Sequence, residues 1–124
     1  MAAPNLLNLT TVSAKQAKLS LSGTSATVLV DNPASSGKAI MVVAVLAAND
    51  DGANSVNVTL SHHSAANGAG TAFKLAHLLP VAATKTLVLI DKATPVILEE
   101  DQSLVVTASA ANDLDVTAYY FELS

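Results

Sequence analysis

Apolar and polar positions alternate along much of this chain with a period of two, the spacing that puts successive side chains on opposite faces of a β-strand. Val56, Val58 and Leu60 alternate with Asn57, Thr59 and Ser61, and Leu19 and Leu21 alternate with Lys18 and Ser20. Val, Thr and Ser recur in short runs, and clusters of Asn, Asp, Gly, Ser and Pro part them at 31–37, 49–54, 64–70, 91–95 and 99–103. Alanine is abundant and favours helix on propensity alone, but no window keeps an i, i+3, i+4, i+7 apolar stripe free of breakers.

The pattern predicts strands near 17–22, 26–30, 38–48, 56–61, 71–79, 84–90, 96–98, 104–110 and 116–123, with Pro80 splitting the fifth from the sixth. The expected fold is all-β: a single antiparallel β-sandwich of about eight strands, jelly-roll or immunoglobulin-like. It should occupy residues 15–124, after an extended N-terminal arm over 1–14. Any helix should be a single turn. Ser64 to Gly70 reads as a flexible loop, and Asp51-Gly52 as the tip of a hairpin.

Two stretches break the alternation. Ile40 to Leu46 is apolar at every position, and so is Leu87 to Ile90. A sandwich strand has one face toward the core and one toward solvent, so its outward face should be polar. One alternating set, Ile40, Val42, Ala44 and Leu46, competes with the other, Met41, Val43 and Val45, for the core. Either a loop covers the outer face of such a central strand, or that face is a subunit interface; on the second reading Met41, Val43, Val45, Val88 and Ile90, with Leu6, Leu7 and Leu9 of the arm, are the candidate protein-interface residues.

Composition supports that reading. The chain has 124 residues, enough for one core, and is 51% hydrophobic with only two Tyr and two Phe, so Val, Leu, Ile and Ala must fill the core. Charged residues are 13%, about half the usual share, which leaves a surface of Ser, Thr, Asn and Ala or one hidden in an assembly. There is no arginine and the net charge is -4. Phosphate binding draws on clustered positive charge, so neither nucleic acid nor an anionic membrane is an expected partner. The absence of cysteine excludes disulfides, thiolate chemistry and Cys-ligated metals. No basic n-region and apolar h-region opens the sequence, so synthesis in the cytoplasm without a signal peptide is expected.

No catalytic, metal or cofactor site is expected. His62 and His63 are adjacent and should point to opposite faces, and His77 lacks a third ligand at a convincing spacing. The run 49–54 lacks the alternating carboxylates of a calcium loop, and Glu99-Glu100-Asp101 reads as a solvated turn. Gly68-Ala69-Gly70 is followed by no Lys-Ser/Thr, no Gly-x-Ser-x-Gly elbow occurs, and Tyr119-Tyr120-Phe121 cannot share one face of a strand. An enzyme is therefore not expected.

The opening Met1-Ala2-Ala3-Pro4-Asn5-Leu6-Leu7-Asn8, the block Asn32-Pro33-Ala34-Ser35-Ser36-Gly37-Lys38, the segment 48–54 and the stretch Ile97 to Leu104 are similar to small virion structural proteins of tailed bacteriophages, notably cyanophages. The resemblance runs nearly end to end in pattern and composition. Where such relatives commonly carry Gly-Asp-Ser, this chain has Asp101-Gln102-Ser103. The resemblance implies a β-sandwich of capsid decoration or cement type, located in the virion. Its implied partners are the major capsid protein or other virion proteins, and further copies of itself as a homo-oligomer. A neck or tail component is the alternative, and a carbohydrate-binding attachment module a more remote one.

Overall fold

A computed structural model describes residues 4–124, so the first three residues of the expected arm lie outside the described residues. The described residues form nine strands: β1 (Val12–Leu21), β2 (Thr27–Asn32), β3 (Ala39–Asn49), β4 (Val56–His63), β5 (Ala72–Val81), β6 (Thr86–Ile90), β7 (Val96–Leu98), β8 (Gln102–Ala108) and β9 (Leu114–Leu123). One-turn 3₁₀ helices occupy Leu6–Asn8 and Ala66–Gly68. The Asn5 side chain accepts a bond from the Leu7 amide and caps the first of them.

The strands make two antiparallel sheets. One has the order β1-β9-β3-β6, with β7 also paired to β3, and the other has the order β2-β8-β4-β5. The first and last strands lie side by side, with β1 at the edge of its sheet and β9 inside it. β4 and β5 are the one consecutive pair joined directly, and β6 and β7 share a neighbour as two halves of one broken edge. This is the arrangement of a jelly roll, not the ABED/CFG order of an immunoglobulin domain.

Burial follows the alternation. Val56, Val58 and Leu60 of β4 face Val106 and Ala108 of β8 within one sheet, and Leu114, Val116 and Ala118 of β9 line the other. Two buried asparagines tie loops to this core. Asn32 Nδ2 donates to the carbonyls of Lys38 and Leu98, and Asn49 Nδ2 donates to those of Asn54 and Val81. Each thereby gives two backbone carbonyls near a sheet end a donor.

Several boundaries differ from the expectation. β1 starts at Val12, so the last residues assigned to the arm already pair with β9. Pro80 lies inside β5 instead of ending it, a position open to proline because β5 is an edge strand. Asp51-Gly52 is no hairpin tip: the chain there crosses from one sheet to the other. That crossing is shaped by Asp51 Oδ1, which accepts from the amides of Ala53 and Asn54.

Ser64 to Gly70 is packed over the outer face of the β2-β8-β4-β5 sheet. Asp101 Oδ1 accepts from the Ala66 amide, Asp31 Oδ1 from Asn67, and the fully buried Ser103 hydroxyl accepts from Gly68 and donates to the Ala65 carbonyl. Glycine is required at 70, where φ is +75° and a Cβ would sit 2.5 Å from Ser64 Oγ.

A candidate interface on the outer face of the β1-β9-β3 sheet

The two outer faces differ. The 64–70 loop covers the β2-β8 part of one, where Ser61, Val105 and Ser103 are buried. No described segment covers the other. Residues directly opposite in a sheet share a face, so the ladder lets that face be read as rows. One row runs Ala14, Phe121, Met41, Ile97, and a second runs Lys18, Thr117, Leu46, Val88. Between them lie Gln16, Tyr119 and Ala44. Val12 and Leu123 continue the face at the end where Thr10 and Thr11 bond to Ser124, and Ser20, Asp115, Ala48 and Thr86 make a polar row at the other end. The face therefore grades from apolar, beside the arm, to polar.

Ile97 is 48% exposed and Val88 55%, while Met41, Leu46 and Phe121 are half-buried by their neighbours. Strands about 4.8 Å apart and rows about 6.8 Å apart give the rows from Val12 to Lys18 a footprint on the order of 400–500 Å², apolar toward the arm and interrupted by Gln16, Lys18 and Thr117 away from it. Contiguous exposed apolar patches often mark binding sites. The arm leaves the sheet from the same end: Leu6 is exposed, Leu7 is 92% exposed and Leu9 is half-buried.

The ladder also corrects the alternation expected for β3. Val42 pairs with Tyr120 and Ala44 with Tyr119, so Val43 is the extra residue of a β-bulge. Beyond it the parity reverses. Ile40 and Val42 face the core, and so do Val45 and Ala47, whereas Ala44 and Leu46 turn outward. Val45 is 0% exposed and Ile90, paired with it, is 7% exposed, so neither is on the outer face where it was expected. Met41 and Val88 are on that face, Val43 sits half-buried at the bulge, and Leu46, Phe121, Ile97 and Tyr119 join them. The exposed Phe73, Leu75, Leu78 and Leu79 of β5 also went unnoticed in the sequence.

The polar groups are dispersed. His62 Nε2 lies 2.9 Å from Gln102 Oε1 and His63 Nδ1 3.3 Å from the Ala69 carbonyl, while His77 is exposed on β5. Among the described residues no three acidic, histidine or cysteine side chains converge. Glu122 bonds Lys38 at 3.1 Å and lies 3.6 Å from Lys15, a small ion-pair group on partly exposed side chains. Asp50 hydrogen-bonds Asp115, which raises the Asp50 pKa and lowers that of Asp115, with Ser20 lowering the latter further. Burial is the main cause that raises the Tyr120 phenol, assisted by the charge of Glu122. These groups brace strand ends, and no pair of them is set as nucleophile and base.

Fold and site together define a jelly-roll domain with one outer face partly covered by its own loop and the other bare among the described residues. No family model and no curated protein sequence matches this chain. Among solved structures it is similar to a chain of the Helicobacter pylori bacteriophage KHP30 acidic stable capsid, at 13% identity and TM-score 0.55, over 94% of this chain and 90% of that one. A subunit of the Bacillus endospore appendages, a family of disulfide-linked pili, is similar at 12% identity and TM-score 0.54, over 100% and 96%. A chain of the cyanophage Pam1 capsid superposes at TM-score 0.41 and 12% identity, over 99% and 91%.

Proposed function

We propose that this chain is a structural component of a phage virion that sits on the outside of the capsid and bridges neighbouring major capsid subunits. The observation that carries the reading is the bare apolar end of the β1-β9-β3 face, at the end of the sheet from which the arm with its exposed leucines leaves. The fold shared with a chain of a phage capsid structure supports it, as does the scarcity of charge. The mechanism is additive contact. Burying three or four of these side chains per copy is worth roughly 4–8 kcal/mol before association costs, and many copies then hold a seam closed. The protein acts by binding and not by catalysis, and its place after synthesis in the host cytoplasm is the virion. The likeness to a pilus subunit favours a self-assembling fibre as a second reading; with no cysteine, such a fibre could not be disulfide-linked.

The test is add-back to particles stripped of this protein. Wild-type chain should bind in many copies and raise the temperature at which particles open. Ile97→Asp and Val88→Asp, exposed positions whose change spares the core, should stay folded and bind weakly. Full binding by both variants would refute the docking face, and a few copies per particle would move the chain to the neck or tail.

A further inference from the structure

We propose that the open edge of β1 is a self-pairing surface, on which a second copy of this chain lays its own β1 antiparallel to the first. The ladder fixes which backbone groups are free. Thr11 and Ser124 exchange both of their backbone hydrogen bonds, at 2.9 Å each, and form a narrow pair. From Val12↔Leu123 to Leu21↔Leu114 the register runs without a break. Narrow and wide pairs alternate along such a ladder. The odd-numbered residues of β1 therefore bond β9, and Val12, Ala14, Gln16, Lys18 and Ser20 direct N–H and C=O away from it. All five are exposed, and no described residue outside the ladder bonds their backbone.

The other three edges carry features that discourage pairing. β2 is six residues long with a register shift at Val28/Val30. β5 has two register shifts and Pro80. The β6–β7 edge is interrupted by the turn at Asp91 to Pro95. β1 has ten residues, no bulge and no proline.

The sequence of β1 suits a copy of itself. A two-fold axis through Gln16, perpendicular to the sheet, sets Gln16 against Gln16, Ala14 against Lys18 and Val12 against Ser20. All five outward-bonding residues then meet one another, each narrow pair exchanging two hydrogen bonds. Lys15 falls opposite Ala17, so no lysine faces a lysine. Registers centred on Lys15 or Lys18 would set like charges directly opposite, which is unfavourable. The axis also keeps both outer faces on one side of a continuous sheet. If the docking reading above holds, a dimer offers two apolar ends to two lattice neighbours; the pairing itself does not depend on that reading.

The isolated chain tests it. Wild type should sediment at twice the monomer mass. Gln16→Pro removes an N–H that points away from β9, so it should sediment as a monomer with wild-type circular dichroism and melting temperature. The chain has no cysteine, so Gln16→Cys offers one thiol per copy. Opposed Cα atoms of a narrow pair lie about 5.5 Å apart, within disulfide reach, and this variant should oxidise to a covalent dimer. Ser20→Cys, with its thiols about 27 Å apart in this register, should not. A wild-type chain that stays monomeric at its highest soluble concentration overturns the proposal. So does a Gln16→Pro dimer, or cross-linking of Ser20→Cys as fast as Gln16→Cys. None of these measurements uses particles, so a failure here leaves the capsid-docking reading to its own test.

Discussion

The bulge at Val43 makes a sharp prediction, because it exchanges the roles of two neighbouring residues. An unbroken alternation from Val42 would place Leu46 in the core and Val45 outside; the ladder places Val45 inside and Leu46 outside. Val45→Asp loses the burial of a valine side chain, worth roughly 1.5–3 kcal/mol. It also leaves a carboxylate unpaired among Ala118, Ile90 and the rest of the core, at a cost of several kcal/mol more. The sum rivals the whole stability of a domain, about 5–15 kcal/mol. Leu46→Asp puts its charge beside Thr117 and Val88 on the bare face and should cost about 1 kcal/mol or less. Thermal melts followed by far-ultraviolet circular dichroism read both. At about 3–6 °C per kcal/mol for a chain of this size, Val45→Asp should lose 20 °C or more, or fail to fold. Leu46→Asp should stay within a few degrees of wild type. A stable Val45→Asp beside an unfolded Leu46→Asp would restore the unbroken alternation and move the candidate interface to the other set of side chains.

Other sites give further expectations. Gly70→Ala must strain a left-handed backbone and displace Ser64, so it should destabilise by about 1–3 kcal/mol and make the 64–70 loop a site of faster proteolysis. Asn49→Ala strips the Val81 and Asn54 carbonyls of their donor and should cost about 2–3 kcal/mol in a denaturant titration. Asp51 is held below the ordinary carboxylate range, first by the Ala53 amide and then by Asn54. A depressed carboxylate contributes stability that is present above the unfolded pKa, near 4, and lost as pH falls through the lower folded value. Melting temperature measured down that window should therefore fall less steeply for Asp51→Asn than for wild type.

Much of the architecture was legible from periodicity because β4 and β9 bury mainly one face each, and a half-buried strand announces itself by alternation. β3 did not announce its orientation. Its residues are apolar on both sides of the bulge, so the inserted Val43 leaves no mark in the pattern, and the insertion is defined only against Tyr119 and Tyr120 of a strand far along the chain. The start of β1 was hidden for the opposite reason. Ser13, Lys15 and Gln16, ahead of the alternation that begins at Ala17, carry no strand pattern until β9 is seen beside them. The 64–70 segment looked mobile because its composition is that of a flexible loop. Its anchors, Asp31, Asp101 and Ser103, come from positions some 35 residues away, beyond the reach of any local rule. Within the interface, the apolar run drew attention to Met41 and Val88, but Phe121, Ile97 and Leu46 became part of one surface only through strand order.

The pairing of β1 with β9 has a mechanical consequence. Thr10 and Thr11 bond Ser124, so both described ends of the chain leave the sandwich at the same corner, on two antiparallel neighbours. A tether pulling those ends apart would load the ladder one rung at a time, from Val12↔Leu123 upward, as a zipper opens. Opposed ends would instead share the load across all rungs in shear. The domain should therefore peel at low force when pulled from its ends, yet resist a load spread across its flat face, where every strand shares the strain.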